Sequence, residues 1–194
     1  MTGRAPRVAG VLVLLVAASL LGVNVLSLFR GCDRLGPVSG GAMAPGFTLR
    51  AVKGGQVALE AQRGKLVLLD FWAAWCAPCV RAIPLLARLQ REHPAELRVL
   101  SVNVDGDLES ARRYDGQTGG VLTMLLDSDS ELARRYGVQT LPHLVLIDRK
   151  GRVARVFVGE VREPVLREAL RAALAARGVT VRLRTPQRAP LHVA

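Results

Sequence analysis

Three cysteines in 194 residues, Cys32, Cys76 and Cys79, are too few for a fold built on disulfides, so a packed core must hold this chain. Aromatic residues make up only 4% of the sequence, which leaves no series of stacking platforms for nucleic-acid bases. Histidine occurs three times, at His93, His143 and His192, with no two at a metal-ligand spacing. A second Cys-x-x-Cys is also missing, whereas a structural zinc site commonly draws its four ligands from two close pairs. No internal repeat is present, which sets aside solenoids and propellers. Acidic side chains are outnumbered 16 to 27, for a net charge of +11. Residues 42–178 carry 20 basic and 15 acidic side chains, and the rest of the surplus lies in the two flanks. With no basic run interleaved with aromatics, no nucleic-acid partner is expected. Basic flanks beside a membrane segment suit anionic lipid headgroups equally well.

Residues 8–29, VAGVLVLLVAASLLGVNVLSLF, contain no charge and a single amide, Asn24. As a helix this run would cover ~33 Å, enough for the hydrocarbon core of a bilayer. Arg4 and Arg7 precede it and Arg30 follows it. A cleaved signal peptide has a shorter apolar region ending in small residues. Ala17-Ala18-Ser19 offers only an internal site of that kind, and the run itself ends in Leu28-Phe29-Arg30. The expectation is an uncleaved signal anchor over residues 1–30, with Arg4 and Arg7 on the inner side. Cys32 sits in FRGCDR, where Arg30 and Phe29 do not suit a lipid-attachment site, so it reads as an incidental juxtamembrane thiol. Residues 31–45 are rich in Gly, Pro and Ser and read as a flexible tether.

The globular part is expected over residues 46–178. FTLRAV and QVALEA flank Lys53-Gly54-Gly55, a hairpin signal. LVLLDFWA (66–73), LRVLSVNVD (97–105) and VLTMLLD (121–127) read as buried strands. Helical patterns follow them from Cys76 to about Glu92, from Leu108 to about Asp115 and from Ser128 to Tyr136. Pro84 is expected to kink the first of these, and Ser or Asp to cap the third. HLVLID (143–148) and RVARVFVG (152–159) form a hairpin around Arg149-Lys150-Gly151, and an amphipathic helix runs over 163–177. The tail, 179–194, has no clear partner, although VTVRL suits an edge strand. Strands alternating with helices, then a hairpin and a helix, predict an α/β domain with a mixed sheet.

Cys76 and Cys79 are two residues apart in DFWAAWCAPCVRAIP. Metal is a weak reading for one isolated pair, although a two-thiol copper(I) site with His143 as a further ligand remains the alternative, a copper chaperone. A structural staple is weaker still, because closing so short a loop removes little chain entropy. Electron transfer fits best. A strand ending near Trp75 and handing over to a helix places Cys76 at the helix N-terminus. Unpaired N–H groups there favour the thiolate. Cys79, one turn on, is placed to attack a mixed disulfide formed at Cys76. Pro78 is tolerated in a first helical turn, since the N–H it lacks would be unpaired there. Asp70, inside an apolar strand, is either a strand-end acid reaching solvent or a buried carboxyl exchanging protons with Cys79, and the second reading is favoured. Trp72 and Trp75 read as packing and groove wall.

DFWAAWCAPC resembles the active-site motif of the thioredoxin superfamily. Thr140-Leu141-Pro142, with Pro142 63 residues beyond Cys79, resembles that superfamily's loop with a cis proline. The resemblance implies a thioredoxin-like fold with Pro142 against the Cys-x-x-Cys and the backbone of Leu141 offered to the partner chain. APGFTL, the hairpin ending in Gly64-Lys65 and YGVQTLPHLVLIDRKGRV are similar to the membrane-anchored TlpA/ResA branch, over about residues 44–175. The chain departs from the branch at three places: Ala82 stands where a glutamate is usual, Asp70 where asparagine is common, and His143 where threonine is usual. APGFTL also resembles peroxide-reducing relatives, but the threonine they need near the attacking cysteine is missing here.

The resemblance implies a single-pass protein of a bacterial cytoplasmic membrane, with its catalytic domain on the extracytoplasmic, periplasmic side. It would exchange thiols and disulfides with exported proteins, in cytochrome c maturation or metal-site assembly, and draw electrons from a membrane-embedded thiol reductant. Ala77-Pro78 between the cysteines resembles the reducing members. No cofactor is expected beyond the redox-active pair itself.

Overall fold

The structure, a computed structural model, describes residues 40–176. The apolar run at 8–29, Cys32 and the tail lie outside the described residues. No described helix is long and apolar enough to cross a membrane.

Seven strands form one sheet in the order β2-β1-β5-β4-β3-β6-β7. They are β1 (Thr48–Ala51), β2 (Gln56–Ala58), β3 (Leu66–Trp72), β4 (Leu97–Asn103), β5 (Thr123–Leu126), β6 (His143–Ile147) and β7 (Val153–Val158). Among the described residues four α-helices accompany them: α1 (Ala77–Glu92), α2 (Leu108–Gln117), α3 (Glu131–Arg135) and α4 (Glu163–Ala175). β3, β4 and β5 are parallel neighbours, whereas β6 runs antiparallel to β3, β7 to β6 and β1 to β5. The sheet is therefore mixed, as the alternation of elements requires. β1 and β2 pair antiparallel across a turn in which Gly54 and Gly55 both take positive φ, a conformation open to glycine.

β3 lies at the centre and is buried from end to end. Successive strand side chains face opposite ways, which divides its residues between two cores. Leu66, Leu68 and Trp72 pack with Ile83 and Leu86 of α1 and Leu166 of α4. Val67, Leu69 and Phe71 pack on the other face with Leu132 of α3 and Tyr136. Each fully buried leucine or phenylalanine contributes roughly 2 kcal/mol over its exposed state. Asp70 shares the register of Leu68 and Trp72 and so belongs to the face that α1 covers.

Two details differ from the sequence expectation. The folded part begins before residue 46. Gly41 donates to Val153 O (2.7 Å), Ala44 donates to Gly151 O (2.9 Å), and Met43 bridges to Arg152. These backbone bonds tie residues assigned to the tether onto the start of β7. The helix expected from Ser128 is shorter, because Ser130 takes a left-handed conformation (φ 55°) and makes no side-chain cap. Asp127 caps α3 instead, accepting from the backbone N–H of Leu132 (3.0 Å) and Ala133 (2.8 Å). Burial nonetheless raises its carboxyl above the usual range, against the lowering by those two bonds. The span of α1 runs to Glu92 with Pro84 inside it, as the sequence pattern indicates.

Candidate active site

The site forms where β3 ends and α1 begins. After Trp72 the chain turns through Ala73, Ala74 and Trp75. Ala74 N–H donates to Asp105 Oδ2 (2.8 Å), and Val104 N–H donates to Trp72 O (2.9 Å), so the end of β4 braces this turn. Cys76 N–H closes it by donating to Ala73 O (3.1 Å). Cys76 is the N-cap of α1, and Ala77 and Pro78 form its first turn. Cys76 and Cys79 are joined in a disulfide, with their Cα atoms 5.3 Å apart. Cys79 N–H donates to Cys76 Sγ (3.4 Å). That bond gives the outer sulfur a donor at the positive end of the helix.

Cys79 is fully buried, Cys76 is almost so, and the adjacent Trp75 is 74% exposed. The Leu141–Pro142 peptide bond is cis. Pro142 O accepts from Gly159 N–H (2.8 Å) at the end of β7, which holds the loop in place. Among the described residues neither the N–H nor the C=O of Leu141 has a backbone partner. Beside this loop runs a groove of about 120 Å³, lined by Pro78, Ala82 and Leu85 of α1 and by Pro142 and Leu144. Arg81 and Glu160 meet across its rim at 3.1 Å. Apart from Arg81, the groove wall on α1 is apolar, with Ala82 in it.

Asp70 is fully buried and does not reach solvent. Ser101 Oγ donates to its Oδ2 (2.8 Å), and its Oδ1 has no protein partner. Burial in this apolar setting pushes its carboxyl up to about 7, and the Ser101 hydrogen bond opposes that rise. Trp72, also fully buried, packs edge-on against Tyr114 of α2, with ring centroids 5.3 Å apart.

His143 is placed differently from its expectation. The sequence offers it as a further copper ligand beside the two thiols. It is instead the first residue of β6, buried, and opposite Phe71 in the strand register. Its ring lies edge-on to Phe71 at 6.1 Å, on the sheet face away from Cys79. Burial lowers its pKa, and neither ring nitrogen has a partner. A copper site drawn from Cys76, Cys79 and His143 therefore lacks its third ligand. No cluster of three metal-capable side chains forms among the described residues.

Cys76 and Cys79 are bonded at the start of α1 with Trp75 just before them, Pro78 and Pro142 line one groove, and Leu141 packs against the core that holds both cysteines, on the sheet face to which Asp70 belongs. Sequence reasoning missed Ser101, Asp105 and the Arg81–Glu160 pair. For Ser101 a signal was present, since aligning the parallel strands β3 and β4 from their starts sets it beside Asp70.

Comparison with known proteins agrees with this geometry. The sequence profile of the Redoxin family matches residues 39–174. The chain belongs to the Redoxin family. It is 29% identical to the thioredoxin-like protein YneN of Bacillus subtilis, over 67% of this chain and 78% of that one. It is also 29% identical to the thiol-disulfide oxidoreductase ResA of Geobacillus kaustophilus, over 76% of this chain and 84% of that one. Among solved structures, one from Chlorobium tepidum assigned as a thiol:disulfide interchange protein, DsbE, superposes with a TM-score of 0.65 at 34% identity. That match covers 71% of this chain and 99% of the other. Within the thioredoxin superfamily the Redoxin chain described here is ResA-like, and it is a thiol–disulfide oxidoreductase.

Proposed function

We propose that this oxidoreductase is tethered to a bacterial cytoplasmic membrane by residues 1–30 and reduces disulfides in exported proteins on the extracytoplasmic side. The membrane assignment is supported by the uncharged run at residues 8–29. The observation that carries the chemistry is the placement of Cys76 as N-cap of α1, with Cys79 N–H directed at its sulfur.

In the reduced protein, the Cys76 thiolate attacks one sulfur of the partner's disulfide. The other partner sulfur leaves as a thiolate, and a mixed disulfide remains. Cys79 gives its proton to Asp70 and attacks Cys76 Sγ. The Cys76–Cys79 bond forms, the partner's second thiolate departs, and two electrons have passed to the partner. A membrane-embedded thiol reductant returns them. Trp75, Pro78 and Pro142 form the contact surface, and Leu141 offers its open backbone groups to the partner strand. Apocytochrome c and copper-site assembly proteins are the partner classes that this setting suggests.

Trapping in cells tests the proposal. Cys79→Ala is expected to accumulate an exported protein disulfide-linked to Cys76, releasable by reductant. Recovery of no adduct, or of cytoplasmic proteins alone, would count against it.

A further inference from the structure

The geometry points to Ser101 as a positioning residue for thiol exchange: its hydroxyl fixes the Asp70 carboxyl so that Oδ1 is the oxygen that takes the proton of Cys79. This inference rests on the reading of Asp70 as the proton acceptor and adds what orients it.

Asp70 and Ser101 are register partners on adjacent parallel strands, and both are fully buried. The hydroxyl donates to Oδ2 at 2.8 Å. A carboxyl held at one oxygen by a neutral donor has its other oxygen directed elsewhere, and Oδ1 is buried without a protein partner. Both residues lie in the strand register that faces α1, where Cys79 is also fully buried.

The neighbours make the hydroxyl decisive. β6 places Leu144 opposite Asp70, and α4 contributes Leu166 and Leu170 to the same core. β4 adds only Asn103 beside Ser101, and His143 faces the other side of the sheet. The titratable groups in the core on the Asp70 side are Cys76, Cys79 and Tyr114 of α2, while Arg88 and Glu92 of α1 and Glu163 and Arg167 of α4 pair with one another at the surface. No lysine or arginine is buried among the described residues. Ser101 is thus the group that favours the carboxylate here. A cation in that place would hold the carboxyl ionised and a poor proton carrier, whereas an apolar residue would leave it protonated and unable to accept. The hydroxyl keeps both forms accessible near neutral pH, where burial alone would not.

The step balances as follows. The Cys79 S–H bond breaks and its proton goes to Asp70 Oδ1. The electron pair left on sulfur forms the bond to Cys76 Sγ, and the partner leaves with the electrons of the bond that breaks.

The test uses the full-length chain in two measurements. One is the NMR titration of the Asp70 carboxyl in the oxidised protein. The other is the pH profile of oxidation of the pre-reduced protein by a peptide disulfide, read from tryptophan fluorescence. Ser101→Ala is expected to move both midpoints to higher pH and to slow exchange several-fold at pH 7, with recovery in alkali. Ser101→Thr, which keeps the hydroxyl, is expected to restore both. Asp70→Asn removes the acceptor, so its profile should lack that inflection and be insensitive to a further Ser101→Ala. If Ser101→Ala leaves both midpoints in place while Asp70→Asn abolishes the inflection, the role of Ser101 is overturned and that of Asp70 stands. If Asp70→Asn retains the inflection, the proton-acceptor reading itself fails. Should Ser101→Ala not fold, Ser101→Cys, with its weaker donor, gives the same comparison: an upward shift supports the role and an unmoved midpoint overturns it.

Discussion

Phe71 and His143 face each other across β3 and β6, their rings edge-on with centroids 6.1 Å apart, on the side of the sheet that the thiols do not occupy. His143 is buried there with no charged partner, and its pKa lies below the ordinary 6.5. A base depressed in the folded state binds fewer protons than the unfolded chain below pH 6.5. Stability therefore falls as pH drops through that region. His143→Phe should remove this loss, so that thermal melts at pH 5 and pH 8 differ less than in the parent. The same variant is expected to keep disulfide exchange and any copper affinity unchanged.

Asp70 gives the opposite sign. Its carboxyl is raised from 3.8 to about 7 by burial, so between those values the folded state holds a proton that the unfolded state has lost. The contribution of Asp70 to stability is greatest below about pH 4, declines as pH rises to about 7, and is level above it. The full cost is on the order of 4 kcal/mol, with one unit equal to about 1.4. Asp70→Asn should therefore raise the denaturation midpoint at pH 8 and not at pH 4, while slowing exchange. Urea unfolding at the two pH values measures it.

Tyr136 joins the N-terminal segment to the core. Its hydroxyl donates to Pro45 O (2.8 Å) while its ring packs on Phe71 at 5.4 Å. Tyr136→Phe keeps the ring and removes the bond, at an expected cost of about 1 kcal/mol. Hydrogen exchange should show the loss in residues 41–47 first.

Asp127 caps α3 with both carboxylate oxygens, where the sequence indicated only a Ser or Asp cap. Asp127→Ala should cost ~1–2 kcal/mol, typical of a lost cap plus buried donors left unpaired. Ser130→Ala should cost less, since Ser130 Oγ reaches only Val104 O (3.0 Å). Paired chemical denaturation curves decide the order.

Much of the fold was legible because its signals are local. Continuous apolar runs marked β3, β4 and β5, and Lys53-Gly54-Gly55 marked the turn between β1 and β2. Cys76 at a helix start was legible for the same reason, since a strand running into a proline-containing turn leaves few alternatives. What was missed is non-local. The pairing of residues 41–44 with residues 151–153 joins segments more than a hundred residues apart, and no composition rule marks it. The facing of His143 depends on strand register, because a shift of one residue would have turned it toward the thiols. Ser101 is one of many serines until its strand is set beside β3.

The account rests on exchange at Cys76 with release by Cys79, and single-cysteine variants mixed with a peptide disulfide measure both steps. Intact mass of Cys79→Ala should show a one-to-one adduct at Cys76, while the parent chain turns over without accumulating it and Cys76→Ala forms none. An adduct formed first at Cys79, or equal turnover by Cys76→Ala and the parent, would contradict it.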